Sequence, residues 1–95
     1  MSDQEMLAMA AKAVGCTAGT AGTVREKYAH HAREWNPLVD DGDALRLAVR
    51  LNIRISGFYD KVTTDTDERS FCEMCKDDRC AATRRAIVRA AASLA

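Results

Sequence analysis

The sequence predicts an α+β layered domain: a small antiparallel sheet of two or three strands packed with three helices. Three observations predict it. Helical apolar spacing recurs behind acidic or hydroxyl N-caps at residues 3–14, 41–51 and 79–93. The stretch 52–76 lacks that spacing, and both of its ends are strand-like. The chain of 95 residues has the length of one domain, taken here as 1–95.

The first helix opens with Ser2 and Glu5, spaced as a capping box in which each side chain satisfies the other residue's backbone N–H. Met6, Leu7, Ala10, Ala11 and Val14 follow on one side, and Gly15 can end the helix in the left-handed conformation. Small residues and two glycines, Gly19 and Gly22, make 16–23 a mobile loop. Residues 24–33 fit either a charged helix or a strand. The alternation of Tyr28, His30 and Ala32 with Ala29, His31 and Arg33 favours a strand running into Trp35.

Trp35-Asn36-Pro37 is an aromatic anchor followed by a turn, because a residue before proline is pushed out of the helical region. Asp40 or Asp41 caps the next helix, and Asp43 adds negative charge at the positive end of its dipole. Leu45, Leu47, Ala48, Val49 and Leu51 give that helix a broad apolar face, Arg46 and Arg50 share its wet side, and Asn52 can stop it. Residues 52–59 read as a strand with Ile53, Ile55, Gly57 and Tyr59 on one face and Arg54, Ser56 and Phe58 on the other. The Thr/Asp-rich stretch 60–69 reads as a loop or hairpin tip, and 70–76 as a second strand antiparallel to the first. Asp77 or Asp78 caps the last helix. There Cys80, Ile87, Ala91 and Leu94 share an apolar stripe, Arg84 sits at its edge, and Arg85 and Arg89 lie opposite.

Two blocks carry a resemblance. Trp35-Asn36-Pro37-Leu38-Val39-Asp40-Asp41-Gly42-Asp43 with the helix behind it, and Ala81-Ala82-Thr83-Arg84-Arg85-Ala86-Ile87-Val88-Arg89-Ala90, resemble the phage α/β/α (ABA) sandwich domain family of small phage and prophage proteins. A looser resemblance links the chain to the ninX-like phage proteins, which share an Asn-Pro turn before a helix and a second such helix at the C-terminus. In the sandwich family the last helix is commonly entered through Asp-Pro; here the position reads Asp78-Arg79. Proline in a first helical turn is favourable but dispensable, so the implied fold stands. The resemblance implies a layered α/β/α-like sandwich and a phage origin. Neither family has an established activity to carry onto residues of this chain.

Composition narrows the function classes. Lys+Arg and Asp+Glu both number 14, so no net field attracts nucleic acid or membrane, although a local patch remains open. No stretch approaches the ~20 apolar residues of a membrane span. The acidic, polar start Met1-Ser2-Asp3-Gln4-Glu5 is unlike a signal peptide, so a cytoplasmic location is expected, with the four cysteines as thiols.

The candidate chemical groups each have a plain alternative. Cys72-x-x-Cys75 with Cys80, and the pair His30-His31, suggest zinc, which needs four ligands converging on one point. On a strand, positions 72 and 75 point to opposite faces, and Cys80 falls on the core side of its helix, so buried or idle thiols are expected. A redox CxxC would have to open a helix after a strand. Asp40, Asp41 and Asp43 lack the alternate spacing of an EF-hand loop, and capping accounts for them. Arg79, Arg84, Arg85 and Arg89 give the last helix a positive surface, with Arg85 and Arg89 the outward pair and Arg84 free to reach an Asp of the central block. No Ser-His-Asp order, phosphate loop or nucleotide fingerprint occurs, so neither an enzyme nor a cofactor is expected. The expected activity is non-catalytic binding of a host or phage macromolecule. A nucleic-acid regulator using the arginine-bearing helix is the first alternative, and a small metal-dependent enzyme or zinc-bound domain the second.

Overall fold

The computed structural model describes residues 2–15 and 35–95. The expectations for the loop 16–23, the segment 24–33 and the pair His30-His31 fall outside the described residues. Within them, three helices and a three-stranded antiparallel sheet form an α+β domain: α1 (Asp3–Ala13), α2 (Asp41–Leu51), β1 (Arg54–Gly57), β2 (Lys61–Asp65), β3 (Ser70–Met74) and α3 (Arg79–Ala92).

Each helix starts where its cap chemistry sets it. At α1, Ser2 Oγ accepts the Glu5 N–H and Glu5 Oε1 accepts the Ser2 N–H, both at 3.2 Å. The backbone N–H and the hydroxyl of Ser2 favour the ionised carboxylate and hold Glu5 below the usual glutamate pKa. Asp40 is the N-cap of α2, accepting the Asp43 N–H at 2.8 Å. Asp43 is buried; its Oδ2 accepts the Asn36 N–H at 2.9 Å, and its Oδ1 accepts a bond from Arg46 Nη2 at 2.8 Å. Asn36 Oδ1 in turn accepts the Leu38 N–H at 3.0 Å, a side-chain-closed turn around the buried Pro37. Asn52 ends α2 in the left-handed region (φ 55°, ψ 43°), where asparagine is tolerated. Asp78 caps α3, accepting the Ala81 N–H at 2.9 Å.

The sheet differs from expectation in one strand. Lys61–Asp65 is not a hairpin tip but the central strand, and the sheet order is β1-β2-β3. The strand at 70–74 therefore pairs with β2 rather than with β1. The Thr/Asp composition that reads as a loop conceals a period-two pattern: Val62, Thr64 and Thr66 are buried and their neighbours in β2 are half-buried. Thr64 is compatible with burial because its hydroxyl donates to the Ala86 carbonyl at 2.8 Å. Thr66 closes the β2–β3 turn, its hydroxyl accepting the N–H groups of Glu68 and Arg69. β1 also departs from the reading. Ile53 is buried just before it, but all four of its residues are exposed, and Tyr59 lies beyond its end in the turn.

α3 is the middle layer. It packs on β2 and β3 on one side and meets α1 and α2 on the other. Among the described residues the layers run sheet, α3, then α1 and α2. The α+β composition is as expected, but the sheet is an outer layer rather than the middle of an α/β/α-like sandwich, because the alanine-rich α3 is the element that packs on both sides. Close packing on several sides suits a helix whose buried positions are mostly alanine: Ala82, Ala86, Ala90, Ala91 and Ala92 accompany Ile87 and Val88. The main core joins Ile87, Val88, Ala90 and Ala91 to Met6, Ala10 and Val14 of the α1 region and to Trp35, Ala44, Leu47 and Ala48 around α2, while Ala82 and Ala86 pack with Val62 in a second cluster against the sheet. Trp35 is 8% exposed. Its Nε1–H has no acceptor among the described residues.

Candidate interaction surface

The arginines of α3 do not form an open basic face. Arg84 donates from Nε to the Leu38 carbonyl at 2.9 Å and from Nη1 to Asp41 at 2.6 Å. It thereby ties α3 to the turn that enters α2. Arg85 meets Asp3 of α1 at 3.0 Å and approaches Glu73 of β3 at 4.0 Å. Arg89 donates to Glu73 and to the Cys72 carbonyl, and its guanidinium lies 5.2 Å from the Phe71 ring centroid. Glu73 is on the helix-facing side of β3 because it pairs with the buried Val62. Arg85 and Arg89, expected to be exposed opposite the apolar stripe, keep 42% and 36% of their side-chain surface accessible and are matched by acids from α1 and β3. Arg79 reaches the Tyr59 carbonyl.

The three described cysteines do not gather on one point. Cys72 is exposed on β3, on the face that also carries Thr63, and Cys75 is half-buried just past the strand end. Cys80 is exposed, which corrects its assignment to the core. It lies in the first turn of α3, where the stripe that is buried at Ile87 opens into a groove. Leu94, at the other end of that stripe, is exposed as well. Among the described residues no three His, Cys, Asp or Glu side chains converge on a point that would hold a metal ion. Asp40, Asp41 and Asp43 are a cap, an ion-pair partner of Arg84 and a buried acceptor, respectively. They serve the α2 entry from three separate positions. No described helix is long and apolar enough to cross a membrane.

The feature that stands out is apolar. The inward side of α2 buries Ala44, Leu47 and Ala48, while Leu45 and Val49, one turn apart on its outer side, are 58% and 67% exposed. Ile55 of β1 is exposed beside them. Between α2 and the start of α3, Ala44, Leu45, Ile55, Cys80 and Ile87 line a groove of about 290 Å³. The Asp41–Arg84 pair and Arg79 lie on its rim. A second, more open depression continues from Leu45 along Val49, Ile53 and Ile55. The signal for this surface is in the sequence: five apolar residues among the seven from Leu45 to Leu51 make an arc wider than burial on one side requires. What the sequence does not show is which edge of that arc stays outside. Comparison of the chain with family models, with curated proteins and with solved structures finds no match.

Proposed function

We propose that this chain is a small non-catalytic protein-binding module that takes an apolar side chain of its partner into the groove between α2 and α3. The observation that carries the reading is the pairing of exposed Leu45, Ile55 and Cys80 with a charged rim at Asp41, Arg84 and Arg79. An apolar centre with a polar rim is the anatomy of a protein interface. Arg79 at the open end suits a partner that carries an acid next to its apolar anchor. The resemblance of the two sequence blocks to phage sandwich domains supports a phage or prophage accessory role, with a host or phage protein as partner and the cytoplasm as location. The nucleic-acid alternative loses support because Arg84, Arg85 and Arg89 are matched by Asp41, Asp3 and Glu73.

The test is capture from nuclease-treated bacterial lysate, followed by affinity measurement with the purified captured protein. The expected result is a protein ligand whose affinity falls on the order of tenfold or more with Leu45→Glu, as for a central interface residue. Capture that Leu45→Glu leaves unchanged would reject the groove. Retention of salt-sensitive nucleic acid in place of protein would transfer the reading to the arginine helix.

A further inference from the structure

We propose that β1 is a dimerisation edge and pairs antiparallel with β1 of a second copy of this chain, around a two-fold axis at Ser56. The inference starts from hydrogen-bond phase. Arg54 faces Asp65 and Ser56 faces Thr63 in the β1–β2 ladder, and the Phe58 N–H donates to the Lys61 carbonyl in the same phase. In an antiparallel ladder such residues alternate with ones whose N–H and C=O point the other way. The backbone groups of Ile55 and Gly57 therefore point away from β2, and the described residues place no strand on that side. An unpaired edge of this kind is a template for another strand.

The pattern of β1 fits itself. With Ser56 opposite Ser56 of the second copy, Ile55 falls opposite Gly57, and Gly57 opposite Ile55. These two pairs exchange four backbone hydrogen bonds and use every outward group of the strand. Ile55 and Gly57 share one sheet face, so each Ile55 side chain would lie over the other copy's glycine. The space there is open: a Cβ built on Gly57 would meet nothing within 4 Å. On the opposite face Arg54 falls opposite Phe58, whose ring has Lys61 over it at 5.3 Å, so the two Arg54 side chains are not opposite each other. A register that seats a bulky side chain over a glycine and keeps the two Arg54 side chains from facing each other favours a second copy over an arbitrary extended peptide. The zero net charge adds no repulsion between copies. The two-fold axis keeps both helix layers on one side of a continuous six-stranded sheet, with Leu45 and Val49 of both copies flanking the seam. This inference goes beyond the protein-binding reading, because the seam is made by the β1 backbone and not by the groove between α2 and α3.

Sedimentation or light scattering over a concentration series tests it, together with amide hydrogen exchange at Ile55 and Gly57. The expected result is a concentration-dependent dimer in which these two amides become protected as it forms. Gly57→Val should weaken the dimer on the order of tenfold or more by filling the space over which Ile55 sits. Should that variant fail to fold, Ser56→Asp and Ser56→Lys decide the matter, because Ser56 is exposed in the monomer. Each alone should weaken the dimer several-fold by placing like charges on the axis, and mixing the two should restore it. A monomer at all concentrations overturns the proposal, whether its Ile55 and Gly57 amides exchange freely or are protected within one chain. A dimer indifferent to these variants, with no rescue on mixing, also overturns it. A monomer that still captures a protein through Leu45 would refute the seam and leave the groove intact.

Discussion

The entry to α2 and the strand that follows it handle backbone polarity in opposite ways. Between Asn36 and Asp43, three side chains accept three backbone N–H groups, and the buried Asp43 carboxylate also holds Arg46. Pro37 and Trp35 are buried around that knot. A few residues later, β1 is exposed along its whole length and turns the amides of Ile55 and Gly57 away from β2, the strand beside it among the described residues. The first region is satisfied by groups close to it in sequence. Among the described residues, the outward side of the second has no such groups. Local completion gives stability and leaves little for a partner to add; an incomplete edge beside exposed Leu45 and Val49 gives up stability that binding can recover.

The largest expected effect lies in the first region. Trp35→Ala should destabilise the domain by about 3–5 kcal/mol, as for other large core truncations. Urea unfolding of the variant measures this, and the single tryptophan of the wild type should emit at blue-shifted wavelength until it unfolds. Solvent-like emission from the native protein, or an unchanged unfolding midpoint, would break the contrast by moving Trp35 to the surface.

Asp43→Ala should cost on the order of 2–3 kcal/mol, because it strands the Asn36 N–H and removes the carboxylate that holds Arg46. Asp43→Asn, which keeps an acceptor, should cost less. Equal losses for the two in the same urea measurement would mean that charge, rather than the hydrogen bond to the turn, carries the interaction.

The smallest effect is expected on the outer side of α2. Leu45→Ser and Val49→Ser should each change monomer stability by no more than about 0.5 kcal/mol, the usual range for surface sites. A loss several times larger, read by the same unfolding curves at low concentration, would show that these side chains are core to the monomer and that the region is complete after all.

The three helices were legible because their signals are local. Ser2 with Glu5, Asp40 and Asp78 lie within a turn of the groups they cap, and apolar spacing repeats inside each helix. Asn52 and Gly15 likewise sit where the backbone needs a left-handed residue. β2 was not legible. It has one aliphatic residue facing the core, and what makes Thr64 fit is a carbonyl 22 residues away on α3. The surroundings of Arg85 and Arg89 were hidden for the same reason, since Asp3 and Glu73 reach them from other elements. Cys80 was misplaced because a helical wheel treats all turns alike, whereas the first turn of α3 borders an open groove. The exposed pair Leu45 and Val49 could be counted in the sequence, but not assigned to the outside.

The position of α3 between the sheet and the other two helices has a kinetic consequence. Arg85 meets Asp3 across 82 residues of chain, and both α1 and α2 find their main partner in Arg79–Ala92. High sequence separation raises the relative contact order and slows folding for a domain of this size. During synthesis, α1, α2 and the three strands emerge before the element on which they assemble. The nascent chain should therefore stay without a persistent core, its apolar α1 and α2 faces available to chaperones, until α3 leaves the ribosome and tertiary structure condenses around it.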